Sequence, residues 1–114
     1  MERDYLDYLQ DIIDSINDIE SFINGIDFNS FEKDKKTMNA VVRSLEIIGE
    51  AVKKIPDGVR YKYPDIPWKN MSGMRDKLIH EYFGIDEDIV WAVASEELPP
   101  LGPLFEKILI EAEK

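Results

Sequence analysis

The chain has 114 residues, of which 44% are apolar and 33% charged, and a formal net charge of −10. That composition fits one folded domain spanning residues 1–114 with a single hydrophobic core, and is too apolar for a disordered chain. The absence of cysteine excludes disulfides, thiolate nucleophiles and Cys-based zinc sites, and no apolar run approaches the ~18 residues of a membrane span.

The opening Met1-Glu2-Arg3-Asp4 lacks the basic and apolar regions of a signal peptide, so a cytoplasmic setting is expected. Residues 3–25 then place Tyr5, Leu9, Ile12, Ile16, Ile19 and Ile23 at alternating four- and three-residue steps. This predicts an amphipathic helix closing near Asn24-Gly25. Asp4, Asp7, Asp11, Asp14 and Asp18 form a neighbouring stripe. Carboxylates strung along one helix diverge, so a solvated face is expected and not a metal site. Aspartate is also a poor helix former, so packing must hold this helix.

Asp27 to Ser30 supply turn and capping residues for a second long helix over about 30–55, with an apolar stripe from Met38 to Ile55. Arg43, Glu46, Glu50 and Lys54 form a charged stripe that reads as a ladder of surface ion pairs. Gly49, mid-helix, costs about 1 kcal/mol relative to alanine and predicts a close backbone approach by another helix. Together the two helices predict an antiparallel pair that starts a bundle. Pro56, Asp57-Gly58, Pro64 and Pro67 mark a connector holding at most one helical turn. A third helix is expected over roughly 70–83, stopped by Gly84. A fourth, N-capped by Asp86 with Ile85 and Val90 as a hydrophobic staple, should run to about Leu98, and a last apolar face follows Pro99-Pro100. With no strand alternation between hairpin turns, the predicted class is all-α, with about five helices.

Charge is unevenly spread. Residues 1–32 carry nine acids and one base, and residues 78–114 nine acids and two bases; between them, residues 33–77 carry eleven bases and six acids. An anionic partner on one face is one implication; ordinary solvated helix surface is the other. The basic region runs into the chain's single histidine, His80. Imidazole is the side chain whose unperturbed pKa, about 6.5, allows proton transfer near neutrality. On the expected third helix Arg75 shares the apolar side with Met71, Leu78, Ile79 and Tyr82, which calls for anionic company or an interface. Glu46 or Glu50 could pair with it structurally. His80 falls about 140° from Arg75, near Asp76, and as a histidine near a helix C-terminus could simply cap it. A metal site from one histidine with Asp76 and Glu81 is a weak signal, and Trp68 and Trp91 read as core or interface.

The spelling Arg75-x4-His80-x-Tyr82 resembles the signature of the HepT toxins, a branch of the HEPN ribonuclease superfamily. The likeness extends to Leu45-Glu46-Ile47-Ile48-Gly49-Glu50-Ala51, Pro64-Asp65-Ile66-Pro67-Trp68, Met74 to Gly84, and Leu98-Pro99-Pro100-Leu101, in the family's order. An Arg-x4-His alone is common by chance; the ordered set is specific.

The resemblance implies a HEPN-type helical bundle, a homodimer, and an endoribonuclease toxin of a type VII toxin–antitoxin system that cleaves RNA without metal or other cofactor. His80 and Arg75 match the catalytic pair. Tyr82 matches the position that an MntA-like nucleotidyltransferase antitoxin modifies with AMP. Asp76 and Glu50 are candidates for orienting His80 and Arg75, with Arg43 as a further supporting cation. The alternative is a non-catalytic helical adaptor that serves as partner or substrate of a nucleotidyltransferase, which the net charge of −10 favours because RNA affinity rests largely on phosphate neutralisation.

Overall fold

The computed structural model describes residues 3–74, 79–80 and 84–113. Helix α1 (Tyr5–Ile23) begins with a capping box, in which the Asp4 carboxylate accepts from the Leu6 N–H at 3.1 Å and the Asp7 carboxylate accepts from the Asp4 N–H at 3.3 Å. It closes at Asn24, followed by Gly25 at φ 78°, the left-handed conformation that glycine adopts most easily. Leu9, Ile12, Ile16 and Ile19 are buried as their spacing requires, and Asp4, Asp7, Asp14 and Asp18 face solvent.

The single helix expected over about 30–55 is two. Helix α2 (Phe28–Lys33) is capped by Asp27, which accepts from the Ser30 N–H at 2.9 Å, and helix α3 (Lys35–Lys53) starts anew at Asp34. The Asp34 carboxylate accepts from the Thr37 N–H at 3.0 Å and from the Thr37 hydroxyl at 2.6 Å. A side chain that satisfies the orphan donors of a new first turn competes with continuation of the old helix. Helix α3 packs along α1 through Val41, Leu45, Ile48 and Val52, all fully buried. Each such side chain contributes about 1.5–3 kcal/mol on burial. An aspartate in a helix costs at most ~0.7 kcal/mol, so the seam outweighs the poor propensity of α1.

The connector after α3 holds more helix than expected. Helix α4 (Asp57–Lys62) has 6 residues, longer than the one turn anticipated. It carries Arg60 back onto the end of α3, where Nε donates to the Ile55 carbonyl at 3.0 Å and Nη2 to the Val52 carbonyl at 2.7 Å. The Val52 carbonyl, which also accepts from the Ile55 N–H at 3.1 Å, takes the guanidinium as a further donor where the residue four places on, Pro56, has no N–H to give. The guanidinium also lies 5.9 Å from the Trp68 ring centroid. Trp68 opens helix α5 (Trp68–Ser72), its indole N–H donating to the Tyr63 carbonyl at 3.0 Å and its ring meeting Phe105 edge-on at 5.7 Å. The close approach predicted at Gly49 is made by α5: a β-carbon there would sit 3.4 Å from the Met71 carbonyl oxygen.

Helix α5 closes at Ser72 with Gly73 as its cap, and Met74 is again helical and buried. The helix expected over roughly 70–83 does not persist to its predicted end. Ile79–His80 forms strand β1, paired antiparallel with strand β2 (Gly84–Ile85), with Ile79 opposite Ile85 and His80 opposite Gly84. A short apolar window carries helix and strand periods equally well, and the β-branched Ile79 and Ile85 favour the extended form.

Helix α6 (Glu87–Ala92) is capped by Asp86, whose carboxylate accepts from the Ile89 N–H at 3.2 Å. The Ile85 side chain of the expected staple lies outside the described residues. Beyond α6 the helix widens into a π turn, Val93–Glu97, where the Leu98 N–H reaches the Val93 carbonyl at 2.9 Å. Ser95 donates its hydroxyl to the Trp91 carbonyl at 2.6 Å, a back-bond of the kind that bends helices. A 3₁₀ turn (Pro99–Leu101) leads into helix α7 (Gly102–Ala112), which returns across α1 and buries Phe105 and Ile108. Tyr63 donates to the Glu111 carboxylate, and that hydrogen bond pushes the phenol up to about 12. The architecture is an all-α bundle built on the long helix pair α1 and α3, with one two-residue strand pairing among the described residues. No described helix is long and apolar enough to cross a membrane.

Candidate functional site

The stretch carrying the expected site is held at both ends. Upstream, α5 is fixed through Trp68, and Met71 and Met74 are 2% and 6% exposed. Downstream, the β1–β2 pairing leads directly into the Asp86 cap of α6. Arg75, Asp76 and Tyr82 lie outside the described residues. At His80 the described feature is the backbone, which pairs with Gly84 in the β1–β2 ladder.

The two supporting residues on α3 are described, and both are exposed. Arg43 and Glu50 line one shallow groove of about 210 Å³ between α1 and α3, together with Arg3, Tyr8, Asp11 and Lys54. Arg3 pairs with Asp11 at 2.7 Å and stacks 4.5 Å from the Tyr8 ring centroid. The hydrogen bond to Asp11 raises the guanidinium pKa further. Glu50 pairs with Lys53 at 3.3 Å, an exposed contact of little energetic weight. Where Gly49 admits the Met71 carbonyl, α3 touches the segment that ends three residues before Arg75. Glu50 is the next residue along α3. The structure thus brings Arg43 and Glu50 to one groove, between α1 and α3.

Two features were not anticipated. Arg60 acts as a clamp between α3, α4 and α5, and the only sequence hint is a cation inside a proline-punctuated connector. A second groove, of about 390 Å³ and mostly apolar, opens between α5 and the segment 93–101. Met71, Met74, Leu98 and Leu101 line it, with Asn70, Glu96 and Glu97 as its polar members. These residues are far apart in sequence, although Leu98-Pro99-Pro100-Leu101 is one of the blocks that carried the resemblance. Among the described residues no group of three His, Cys, Asp or Glu side chains converges as a metal site.

Comparison with known proteins bears directly on the segment these elements frame. The model of the family described as ribonuclease HepT-like matches residues 12–108. A protein of Thermococcus cleftensis named "Probable ribonuclease HepT" is 50% identical over 108 residues, covering 95% of this chain and 98% of its own length. Two proteins of Methanocaldococcus jannaschii that carry provisional RNase names are each 48% identical, over 113 and 112 residues. These alignments cover 99% and 98% of this chain and 97% and 93% of the relatives. No solved structure matches. With a family match that spans α1 to α7 and relatives aligned nearly end to end, the chain belongs to the HepT-like ribonuclease family.

Proposed function

We propose that this chain is a metal-independent endoribonuclease, the toxin of a type VII toxin–antitoxin pair, active as a homodimer through Arg75 and His80. The observation that carries the reading is the Arg75-x4-His80-x-Tyr82 spelling inside a segment matched to the HepT-like family. The ribonuclease names of relatives about 50% identical support it.

In this reading the imidazole of His80 takes the proton of the attacking ribose 2′-OH and returns one to the leaving 5′-oxygen. The 2′-oxygen forms its bond to phosphorus as the bond to the 5′-oxygen breaks, giving a 2′,3′-cyclic phosphate and a 5′-hydroxyl. The Arg75 guanidinium stabilises charge on the phosphoryl oxygens. One histidine per chain is poorly suited to act as base and acid together, and a two-fold dimer supplies a second. Asp76 and Glu50 orient this pair, and Arg43 adds positive charge nearby. A partner nucleotidyltransferase antitoxin silences the enzyme by linking AMP to Tyr82, which sets bulk and negative charge where RNA phosphate would bind.

The test is RNA cleavage by the purified, unmodified protein in EDTA, beside His80→Ala and Arg75→Ala. Cleavage by the parent and loss in both variants is expected. Persistence in both would place the chemistry elsewhere, and a strict need for divalent metal would remove the mechanism. The second reading, a non-catalytic adaptor for a nucleotidyltransferase, is favoured by the net charge of −10 and predicts no cleavage by any form.

A further inference from the structure

The apolar groove between α5 and the segment 93–101 is the largest concavity described, and it begins at Met74, the residue before Arg75. Its volume of about 390 Å³ falls within the roughly 300–1,000 Å³ typical of small-molecule sites. Met71, Met74 and Leu98 are nearly inaccessible and form an apolar floor. Asn70, Glu96 and Glu97 are exposed and form a polar rim. The two carboxylates are brought there by the π turn at Val93–Glu97, a distortion that recurs at functional sites.

We propose that this groove binds the guanine base of the RNA; the proposal rests on the ribonuclease reading above and names the base that it selects. An apolar floor with two thioethers suits the face of an aromatic ring. Ionised carboxylates only accept hydrogen bonds, so the rim calls for an edge rich in donors. Guanine alone among the four bases presents two adjacent donors, N1–H and the N2 amino group, on its Watson–Crick edge. Adenine and cytosine place one amino group beside a ring acceptor, and uracil sets one N–H between two carbonyls. The Asn70 amide can donate to guanine O6. The same carboxylates repel phosphate, so the base is the part of a nucleotide that enters.

Methyl-labelled methionine provides the test, because Met71 and Met74 line the groove and Met38, buried in α3, does not. The protein is titrated with 3′-GMP, 3′-AMP, 3′-CMP and 3′-UMP and followed by methyl NMR. The expected result is a saturable shift of Met71 and Met74 with 3′-GMP, roughly tenfold weaker binding of 3′-UMP, and an unmoved Met38. The double substitution Glu96→Ala/Glu97→Ala, at two exposed positions, should weaken 3′-GMP roughly tenfold and leave Met38 unchanged. Equal response to all four nucleotides overturns the proposal. So does a response indifferent to the two glutamates, or shifts that follow protein concentration without nucleotide, which would make the groove a seam between copies. Selective guanine binding without RNA cleavage would leave the site standing and remove the ribonuclease reading. Cleavage with no guanine preference would do the reverse.

Discussion

Replacing Arg60 by methionine keeps most of the side-chain stem and removes the guanidinium, which isolates the clamp that joins α3, α4 and α5. Two hydrogen bonds are lost, to the Ile55 carbonyl at 3.0 Å and the Val52 carbonyl at 2.7 Å, together with the contact 5.9 Å from the Trp68 ring. Hydrogen bonds from a charged donor contribute about 1.5–3 kcal/mol each, and an outlying cation–π contact about 0.5 kcal/mol. Because Arg60 is only half-buried and water can replace part of what is lost, the lower end applies. Arg60→Met should therefore cost about 2–4 kcal/mol. Urea unfolding at neutral pH measures it: with a slope of roughly 1–3 kcal/mol per molar, the midpoint should fall by at least about 0.7 M without a change in slope. Arg60→Lys keeps the charge but not the planar fork, and should lie between the two. A midpoint unchanged in Arg60→Met, or an Arg60→Lys equal to the parent, would refute the idea that the fork on two carbonyls is what holds this junction.

Gly49→Val should destabilise the fold by about 1–3 kcal/mol in the same unfolding assay, because branches beyond a β-carbon already 3.4 Å from the Met71 carbonyl must displace α5. Gly49→Ala, at the edge of van der Waals contact, should stay within about 1 kcal/mol of the parent, since helix propensity gained offsets crowding. The hydrogen bonds from Thr37 hold the Asp34 carboxyl below its usual value of 3.8, so its capping contribution is present above that pH and fades as pH falls through the lowered value. Asp34→Ala should accordingly speed exchange of the Thr37 amide at neutral pH, with the difference from the parent closing in strong acid. A difference independent of pH would mean that the charge of Asp34 has no part in the cap.

Periodicity reveals what one helix buries, and it was reliable where burial decides the structure. The stripe from Leu9 to Ile19, the opposing stripe on α3 and the approach at Gly49 all follow from spacing and residue size. The break at Asp34 was hidden because apolar spacing runs on from Phe31 to Met38 across it; the available signal was an acid three residues before Thr37. The extended pairing at Ile79–His80 was misread as helix because a window of a few apolar residues fits both periods. Membership of the HepT-like family was legible in blocks of sequence, and the comparisons bear it out. Of the expected site residues, Arg43 and Glu50 fall in one groove, while Arg75, Asp76 and Tyr82 lie outside the described residues. The groove of Met71, Met74, Glu96 and Glu97 could not be read in advance, since only the fold brings α5 to the π turn.

If Arg75 and His80 cleave RNA by attack of the ribose 2′-OH, the ends of the fragments record it. Mass spectrometry of fragments made in EDTA should find a 2′,3′-cyclic phosphate on the upstream piece and a 5′-hydroxyl on the downstream one. A 3′-hydroxyl with a 5′-phosphate, the pattern of water attack at phosphorus, would contradict it.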